Sequence, residues 1–279
     1  MKTCFFHIEK TAGTSIYDVI LFNTPDCVVF YPWYFKTNEH TLSPEKLQRF
    51  LDRVDPKREK GIGGHPLRPN DQIMKDYFTF TFLRDPIKRY LSYYLFITQH
   101  LKIKISLEQY LNDPYFHNFM TGRMSATKDI DEALKRLNQM SFVGLTERYA
   151  ESMQALKSLN PGFIDRLFLS NSREAKNDYL EFYSALSSKD QDKVLRNNQL
   201  DSQLYQRGKE LNTHSLKDIG SANSSFESIS DQELNERLLI SKKYRRSHYL
   251  LHDFRISFST KLLTGNRAFL TQVQHKSQS

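Results

Sequence analysis

The chain has 279 residues, of which 39% are hydrophobic and 13% aromatic, so it can build the core of a folded domain and is not an intrinsically disordered protein. Its 40 Lys and Arg residues against 32 Asp and Glu residues give a formal net charge of +8, which favours anionic partners such as a nucleotide, nucleic acid or an acidic glycan. No stretch reaches the ~20 apolar residues that a membrane-spanning helix needs, and the first residues lack the pattern of a signal peptide.

Apolar runs and amphipathic segments alternate through the first part of the chain. Buried strands are predicted over residues 3–8, 27–31, 77–83, 142–145 and 167–169. Helices are predicted between them, over residues 14–22, from Ser43 and Pro44, from Asp85 and Pro86, and over residues 146–159. The two cysteines, Cys4 and Cys27, fall in apolar runs and outside any metal-ligand spacing, which indicates free core thiols.

The alternation of strands and helices predicts an α/β protein in three layers, with a central parallel sheet flanked by helices on both faces. Beyond about residue 175 the chain becomes helical and polar, and Ser230 with Glu233 forms a capping box that predicts the start of another helix. We expect a single domain over residues 1–279, with an α/β core at about 1–175 and a helical, substrate-side and C-terminal part at about 176–272.

A short polar loop separates the first predicted strand from the first predicted helix, and it consists of Lys10, Thr11, Ala12, Gly13, Thr14 and Ser15. The N-terminus of a helix binds anions because its first backbone N–H groups and the positive end of its dipole converge there. A Walker A loop would place its lysine after the glycine, next to the hydroxyl residue that binds magnesium, whereas Lys10 precedes Gly13. The loop by itself therefore leaves phosphate binding and a solvent-exposed turn as open alternatives.

A second candidate anion site follows the strand predicted over residues 77–83. Arg84 comes directly after this strand, and Ser92 lies about two helical turns further on. A guanidinium binds phosphate bidentately, and a serine hydroxyl adds a directional hydrogen bond. The alternative is that Arg84 pairs with a carboxylate while Ser92 faces solvent. Two anion sites at strand ends together favour one extended ligand with two phosphate groups.

The segments HIEKTAGTS and FLRDPIKRYLSYY, each leading from a strand into a helix, resemble the sulfotransferase family, in particular the branch of the heparan sulfate and chondroitin O-sulfotransferases. Looser similarities at residues 142–153 and 197–211 extend the resemblance over about residues 3–211. It implies a P-loop-like fold and 3′-phosphoadenosine 5′-phosphosulfate (PAPS) as the sulfuryl donor, with no metal. Carried over, residues 10–15 would hold the 5′-phosphosulfate, while Arg84 and Ser92 would bind the 3′-phosphate. Glu9 departs from the proline that many members have.

Transfer of a sulfuryl group needs a cation beside the leaving phosphate and a base for the acceptor hydroxyl. Lys10 matches the first role. His65 matches the second, because it follows the glycines of GIGGHP and aligns with a Gly-His pair that often acts as the base in the family. His7 is the rival base, since it lies three residues before Lys10, and the strand periodicity leaves open whether it faces the site or the core.

The resemblance implies an acceptor hydroxyl on a saccharide, either a glycan or a glycolipid, with no nucleic acid partner. Arg68, Arg123 and Lys128 lie in segments that could line an acceptor cleft. Two other functions stay open: a nucleotide or small-molecule kinase of related fold, and a non-catalytic RNA-binding or scaffold protein. We expect a cytoplasmic enzyme if the chain is complete, and otherwise the luminal domain of a Golgi-type enzyme. The sequence does not indicate an oligomeric state.

Overall fold

The computed structural model describes residues 2–30, 60–65, 67–168, 178–219 and 226–249. Its strands are β1 (Lys2–Phe6), β2 (Val28–Phe30), β3 (Gly61–Gly64), β4 (Tyr77–Leu83) and β5 (Phe142–Leu145). They form one sheet in the order β2-β3-β1-β4-β5, and every neighbouring pair is parallel.

Helices connect and follow these strands. In chain order they are α1 (Gly13–Asn23), α2 (Asp71–Asp76), α3 (Pro86–Leu95), α4 (Leu107–Asn112), α5 (Phe119–Met124), α6 (Ile130–Asn138), α7 (Tyr149–Leu159), α8 (Asp178–Ser184), α9 (Ser188–Asn197), α10 (Gln199–Ile219) and α11 (Asp231–Tyr249). A π-helical turn, Phe96–His100, continues α3, and a 3₁₀ turn, Thr146–Arg148, precedes α7. Among the described helices, none is long and apolar enough to span a membrane.

The sheet is packed on both faces, which explains why its strands are continuous apolar runs rather than alternating ones. All seven residues of β4 are buried. On one face, Phe5 of β1 stacks on Phe80 of β4 with ring centroids 4.8 Å apart, in the core that includes residues of α1, α7 and α11. On the other face, Phe6 and Ile62 pack with Ile73 of α2. Helices on two faces of one parallel sheet confirm the predicted three-layer α/β fold.

Two predicted helix starts can be compared with the structure directly. Asp85 is the N-cap of α3 and accepts a hydrogen bond from the backbone N–H of Lys88, with Pro86 at the first helical position, as predicted. The helix predicted from Ser43 and Pro44 lies outside the described residues.

The sequence analysis was wrong about one strand and missed another. In the described part of residues 167–169, Phe168 makes an isolated bridge with Glu227 and does not join the sheet. β3 was missed because three of its four residues are glycines, which have low strand propensity. Its backbone pairs with β2 on one side and with β1 on the other, and this pairing holds it in the sheet.

The segment NNQLD, at residues 197–201, ties the C-terminal helices to α5. The buried Asp201 carboxylate accepts hydrogen bonds from the backbone N–H of Met120 at 3.0 Å and of Thr121 at 2.7 Å, and from the Thr121 hydroxyl at 2.8 Å. The Asn118 side chain accepts from the backbone N–H of Leu200 at 2.9 Å. Asp201 thus caps the start of α5 from a distant part of the chain.

Asp201→Ala should lower the free energy of unfolding by ~3 kcal/mol, because two backbone N–H groups and a hydroxyl would stay buried without their acceptor. Equilibrium urea unfolding, followed by circular dichroism, measures the change. Asp192→Ala on the exposed side of α9 is the control and should change the free energy by less than about 0.5 kcal/mol. An Asp201→Ala loss as small as that of the control would contradict the capping role.

Candidate functional site

Three polar segments meet at the carboxyl end of the sheet. β1 pairs in parallel with both β3 and β4, so the chain leaves all three strands at the same edge. From β1 the chain goes out to β2, returns to β3 and then crosses to β4, which makes β1 the point where the strand order reverses. Ligands of open α/β sheets bind outside the carboxyl ends at such a point. The KTAGTS loop, His65 and Arg84 follow β1, β3 and β4 respectively.

Two residues of the KTAGTS loop adopt the left-handed backbone conformation. Lys10 has a φ of 71° and Ala12 has a φ of 64°. The Thr11 hydroxyl donates to the carbonyl oxygen of Ile8 at 2.8 Å, and Nη1 of Arg84 donates to that of Lys10 at 3.1 Å. For residues other than glycine this conformation costs about 1–2 kcal/mol each. The two hydrogen bonds therefore help to hold the loop in a shape that is unfavourable for the isolated chain.

Position 13 requires glycine because of a close contact with a side chain. The backbone conformation is not the reason, because the φ of Gly13 is not in the left-handed region. A Cβ atom at this position would lie 1.8 Å from Nε2 of His7. The His7 ring is itself confined, because it lies edge-on to Tyr17 with centroids 5.0 Å apart and against His65 with centroids 3.9 Å apart. His7 therefore faces the start of α1 and the base candidate, which answers the question that the strand periodicity left open.

The Lys10 ammonium lies among aromatic and cationic groups. Its Nζ is 4.4 Å from the ring centroid of Phe96, the first residue of the π-helical turn. The guanidinium of Arg84 lies 5.2 Å from the ring centroid of Tyr179 on α8. Burial, with a smaller contribution from Arg84, lowers the pKa of Lys10 to about 8. Because its charged form is disfavoured here, Lys10 gains stabilisation when an anion approaches.

The remaining residues of the predicted donor site lie around the start of α1 and on α3. Ala12 is the N-cap of α1 and makes no side-chain hydrogen bond to the first turn. In that turn Thr14 is exposed and Ser15 is half-buried. The first N–H groups of a helix have no acceptor within it, so an anion can occupy that place. Ser92 is half-buried on α3, and its backbone carbonyl accepts from the N–H of Phe96.

A second cluster of titratable side chains adjoins Lys10 through its chain neighbour Glu9. Nδ1 of His65 is 3.3 Å from Oε1 of Glu9, and Nε of Arg123 is 3.6 Å from Oε2. Burial opposes the ionisation of Glu9, but Arg123 and then His65 outweigh it and hold the Glu9 pKa well below its usual range. Burial, followed by the charge of His65, lowers the pKa of His7 well below its ordinary value, so His7 is neutral at pH 7.

Two of the three basic residues considered for an acceptor cleft lie at this cluster. Arg123 contacts Glu9, and Arg68 donates to a backbone carbonyl of α5. Burial and then the charge of Arg123 lower the pKa of Arg68 to about 10. The Lys128 ammonium instead donates to the carbonyl oxygens of Pro114 at 2.6 Å and His117 at 2.7 Å, so it stabilises the loop before α5.

The site contains three residues that the sequence analysis did not place there: Glu9, Phe96 and Tyr179. Glu9 had one sequence signal, its departure from the family's proline. Phe96 lies one helical turn after Ser92, and no local pattern distinguishes it from a core aromatic. Within the described ranges, no group of three or more His, Cys, Asp or Glu side chains could hold a metal ion.

Comparison with protein families yields one match. The model described as "Sulfotransferase family" matches residues 2–206, a range that includes both clusters. The match does not distinguish branches within the family. Comparison with curated protein sequences finds no match.

Gly13→Ala should displace the His7 imidazole and lower the free energy of unfolding by ~1–3 kcal/mol, the usual cost of overpacking a filled space. Thermal unfolding measures the stability, and the NMR signals of the His7 ring report its displacement. Gly63→Ala in β3 is the matched control, because the nearest atom to its new Cβ would be 3.3 Å away, and it should cost less. Unchanged stability together with unshifted His7 signals in Gly13→Ala would contradict the close contact.

Proposed function

This chain belongs to the sulfotransferase family, and from that premise we propose that it transfers the sulfuryl group of PAPS to a saccharide hydroxyl. Sulfuryl transfer as such follows from the family. The donor, the acceptor class and the residue roles are our proposal. One observation supports it above all: Lys10 joins two clusters, because Arg84 donates to its carbonyl oxygen while its neighbour Glu9 lies 3.3 Å from His65. A leaving-group cation and a proton acceptor are thus adjacent, as transfer to a hydroxyl requires.

The start of α1 fits the phosphosulfate group of the donor. Its N-cap supplies no side-chain acceptor to the first turn, and the partly desolvated Lys10 stands next to it. The proposed contacts are those of residues 10–15, with Thr14 and Ser15 adding hydroxyl donors. Arg84 and Ser92 are proposed to bind the 3′-phosphate, since Arg84 directly follows β4 and Ser92 lies on α3, the helix that begins two residues later. Two cations, Lys10 and Arg84, would then face the two anionic ends of one ligand.

Sulfuryl transfer, like phosphoryl transfer, places the attacking and leaving oxygens in line and leaves little covalent chemistry to the protein. Negative charge grows on the oxygen that bridges the sulfur and the 5′-phosphate. The Lys10 ammonium stabilises this charge, and the first-turn N–H groups of α1 add their dipoles. The attraction between the Lys10 ammonium and the bridging oxygen increases as negative charge grows on that oxygen. Lys10 therefore stabilises the leaving group more strongly in the transition state than in the bound donor.

His65 is proposed to take the proton of the acceptor hydroxyl. It directly follows β3, whose end lies beside the end of β1, so it reaches the edge of the sheet where the donor loop begins. The neighbouring His7 is buried and packed against Gly13, which leaves it less able to meet an acceptor. His7 is therefore assigned to the wall of the site, and His65 to proton transfer.

The acceptor class follows from the resemblance to glycan sulfotransferases and from the basic charge of the chain, and a glycan or glycolipid is proposed. A kinase is disfavoured because the loop lacks the lysine-hydroxyl pair that holds magnesium nucleotides. A non-catalytic RNA-binding role is disfavoured because two buried or half-buried clusters of charged groups meet at one sheet edge, which is the arrangement of an enzyme site rather than of an exposed basic face.

Incubation with radiosulfate-labelled PAPS and a panel of saccharide acceptors should give a labelled product. Lys10→Ala should lower turnover by at least ~10²-fold, as the loss of a transition-state donor does, and His65→Ala by ~10²- to 10⁴-fold. Lys75→Ala, on the exposed side of α2, is the control and should retain turnover. Near-normal rates in Lys10→Ala or His65→Ala would remove that residue from the mechanism, and failure of adenosine 3′,5′-bisphosphate to stabilise the protein would refute the donor.

Binding of adenosine 3′,5′-bisphosphate should weaken as the pH rises above 8, because the pKa of Lys10 is about 8 and only its charged form attracts the ligand. Well below this pH Lys10 is protonated, so affinity should fall by only about 2-fold from pH 7 to 8. Above pH 8, affinity should fall by up to ~10-fold per pH unit. This is the slope expected when one proton is taken up on binding. Isothermal titration calorimetry measures the affinity.

Two variants test the origin of this pH dependence. Lys10→Gln, which carries no charge at any pH, should bind more weakly and with no decline between pH 8 and 9. Arg84→Ala should also bind more weakly but keep the decline, since Lys10 remains. A decline that persists in Lys10→Gln would assign the titrating group to another residue.

A further inference from the structure

We propose that Glu9 is a positioning residue for His65: its carboxylate accepts the Nδ1 hydrogen of the imidazole and leaves Nε2 as the atom that takes the acceptor proton. The inference rests on the proposed function, because it assigns a partner to the base of that reaction.

The nearby carboxylate of Glu9 favours one of the two ring nitrogens of His65 as the one that carries the hydrogen. Oε1 of Glu9 is 3.3 Å from Nδ1 of His65, which is an ion-pair contact whose alignment is not that of a hydrogen bond. A carboxylate only accepts hydrogen bonds, so a lone pair on Nδ1 would face negative charge, whereas an N–H group would face an acceptor. The neutral imidazole therefore carries its hydrogen on Nδ1, and Nε2 keeps the lone pair that can take a proton.

Arg123 holds the carboxylate in place from the other side. Its Nε is 3.6 Å from Oε2 of Glu9, and its side chain is only 6% exposed. A buried guanidinium requires a compensating anion nearby, and Glu9 supplies that charge. The two oxygens of Glu9 are thus assigned to different partners, one to Arg123 and one to His65. The positive charge of Arg123 on one side and His65 on the other favour the ionised form of the carboxylate.

His7 restricts the remaining freedom of the base. Its ring lies against that of His65 with centroids 3.9 Å apart. The ring of His7 is itself confined by Tyr17 and by Gly13, where a Cβ atom would have no room. His65 is therefore held at one edge by Glu9 and on one face by His7. These two contacts restrict the orientation of the His65 ring, and with it the direction from which Nε2 can approach an acceptor hydroxyl.

Glu9 itself is a poor candidate for the base. Arg123 and His65 hold its pKa well below the usual range, so its carboxylate has little tendency to bind a proton near neutral pH. The same charges make it an effective stabiliser of an imidazolium, because it stays ionised while His65 becomes positive. In this pair, His65 receives the proton and Glu9 remains ionised.

Nε2 of His65 takes the proton of the acceptor hydroxyl while the acceptor oxygen forms a bond to sulfur. The bond from sulfur to the 5′-phosphate oxygen breaks, and its electron pair stays on that oxygen beside Lys10. The imidazolium keeps its Nδ1 hydrogen toward Glu9, and the proton on Nε2 passes to solvent after the products leave.

Any pH dependence of the pair also reflects the other groups that face it. These groups come from every element packed against the pair: the loop after β1, the segment after β3, α3, the loop before α5, and α5 itself. They are His7, Lys10, Arg68, Tyr93, Tyr115 and Arg123. Variants that change Glu9 alone leave this surrounding set intact, so they isolate its effect on His65.

Glu9→Gln keeps the shape of the side chain and removes its charge. We expect kcat to fall by about 10- to 100-fold, a part of the ~10²- to 10⁴-fold that a general base contributes, with the KM for PAPS unchanged. The acid limb of the kcat/KM profile should move to lower pH, because the imidazolium loses its anionic neighbour. Glu9→Asp, which keeps the charge, should restore the wild-type profile in part. Glu210→Gln, which breaks an exposed ion pair with Arg207, is the control and should change neither quantity.

A second readout is independent of catalysis. NMR of the wild-type protein labelled with ¹⁵N-histidine, saturated with adenosine 3′,5′-bisphosphate, should show His65 with its hydrogen on Nδ1, and Glu9→Gln should lose this preference. A wild-type hydrogen on Nε2 overturns the proposal even if Glu9→Gln does not fold. An active Glu9→Gln enzyme with an unmoved pH profile also overturns it. If wild-type protein transfers no sulfuryl group, the proposed function fails, and the pair is then judged by NMR alone: a tautomer that Glu9→Gln changes supports it, and one that stays the same overturns it.

Discussion

The register between β1 and β3 is the constraint on which the candidate site depends. Phe6, the last residue of β1, pairs with Gly64, the last residue of β3. The residues that follow are His7 and His65, so the pairing delivers two imidazoles to the same level of neighbouring strands. Adjacent strands lie about 4.8 Å apart, and the ring centroids of the two histidines are accordingly 3.9 Å apart. A shift of one residue would separate His65 from His7 and from Glu9.

A loop of high local energy begins at the same strand end. Lys10 and Ala12 adopt left-handed conformations, and the hydrogen bond from Arg84 to the Lys10 carbonyl is one of two that help to hold the loop. Arg84 follows β4, so the pairing of β1 with β4 is needed to bring this donor to the loop. The two sheet neighbours of β1 thus contribute different groups: β3 leads to His65, the proposed proton acceptor, and β4 leads to Arg84, which donates a hydrogen bond to the loop.

Regular elements with strong local patterns could be predicted well. The run YFTFTFL has the β-branched and aromatic composition of a buried strand and became β4, and Asp85-Pro86 has the chemistry of a helix start and caps α3. β3 could not be predicted from its own residues, because three glycines carry no strand preference and only pairing with two neighbours holds them extended. At residues 167–169 the opposite happened: the pattern indicated a strand, yet Phe168 found a single bridge to Glu227 rather than a place in the sheet.

The sequence by itself determined the α/β class and predicted an anion site with the candidate residues Lys10, His65 and Arg84, because strand periodicity and helix-start chemistry are local properties. Only the tertiary structure decided that Glu9 faces His65 and Arg123, that Phe96 lies under the Lys10 ammonium, and that Lys128 stabilises a loop away from the Glu9 cluster. These contacts join residues from distant parts of the chain. Their existence depends on strand register and helix packing, which no local pattern of residues contains.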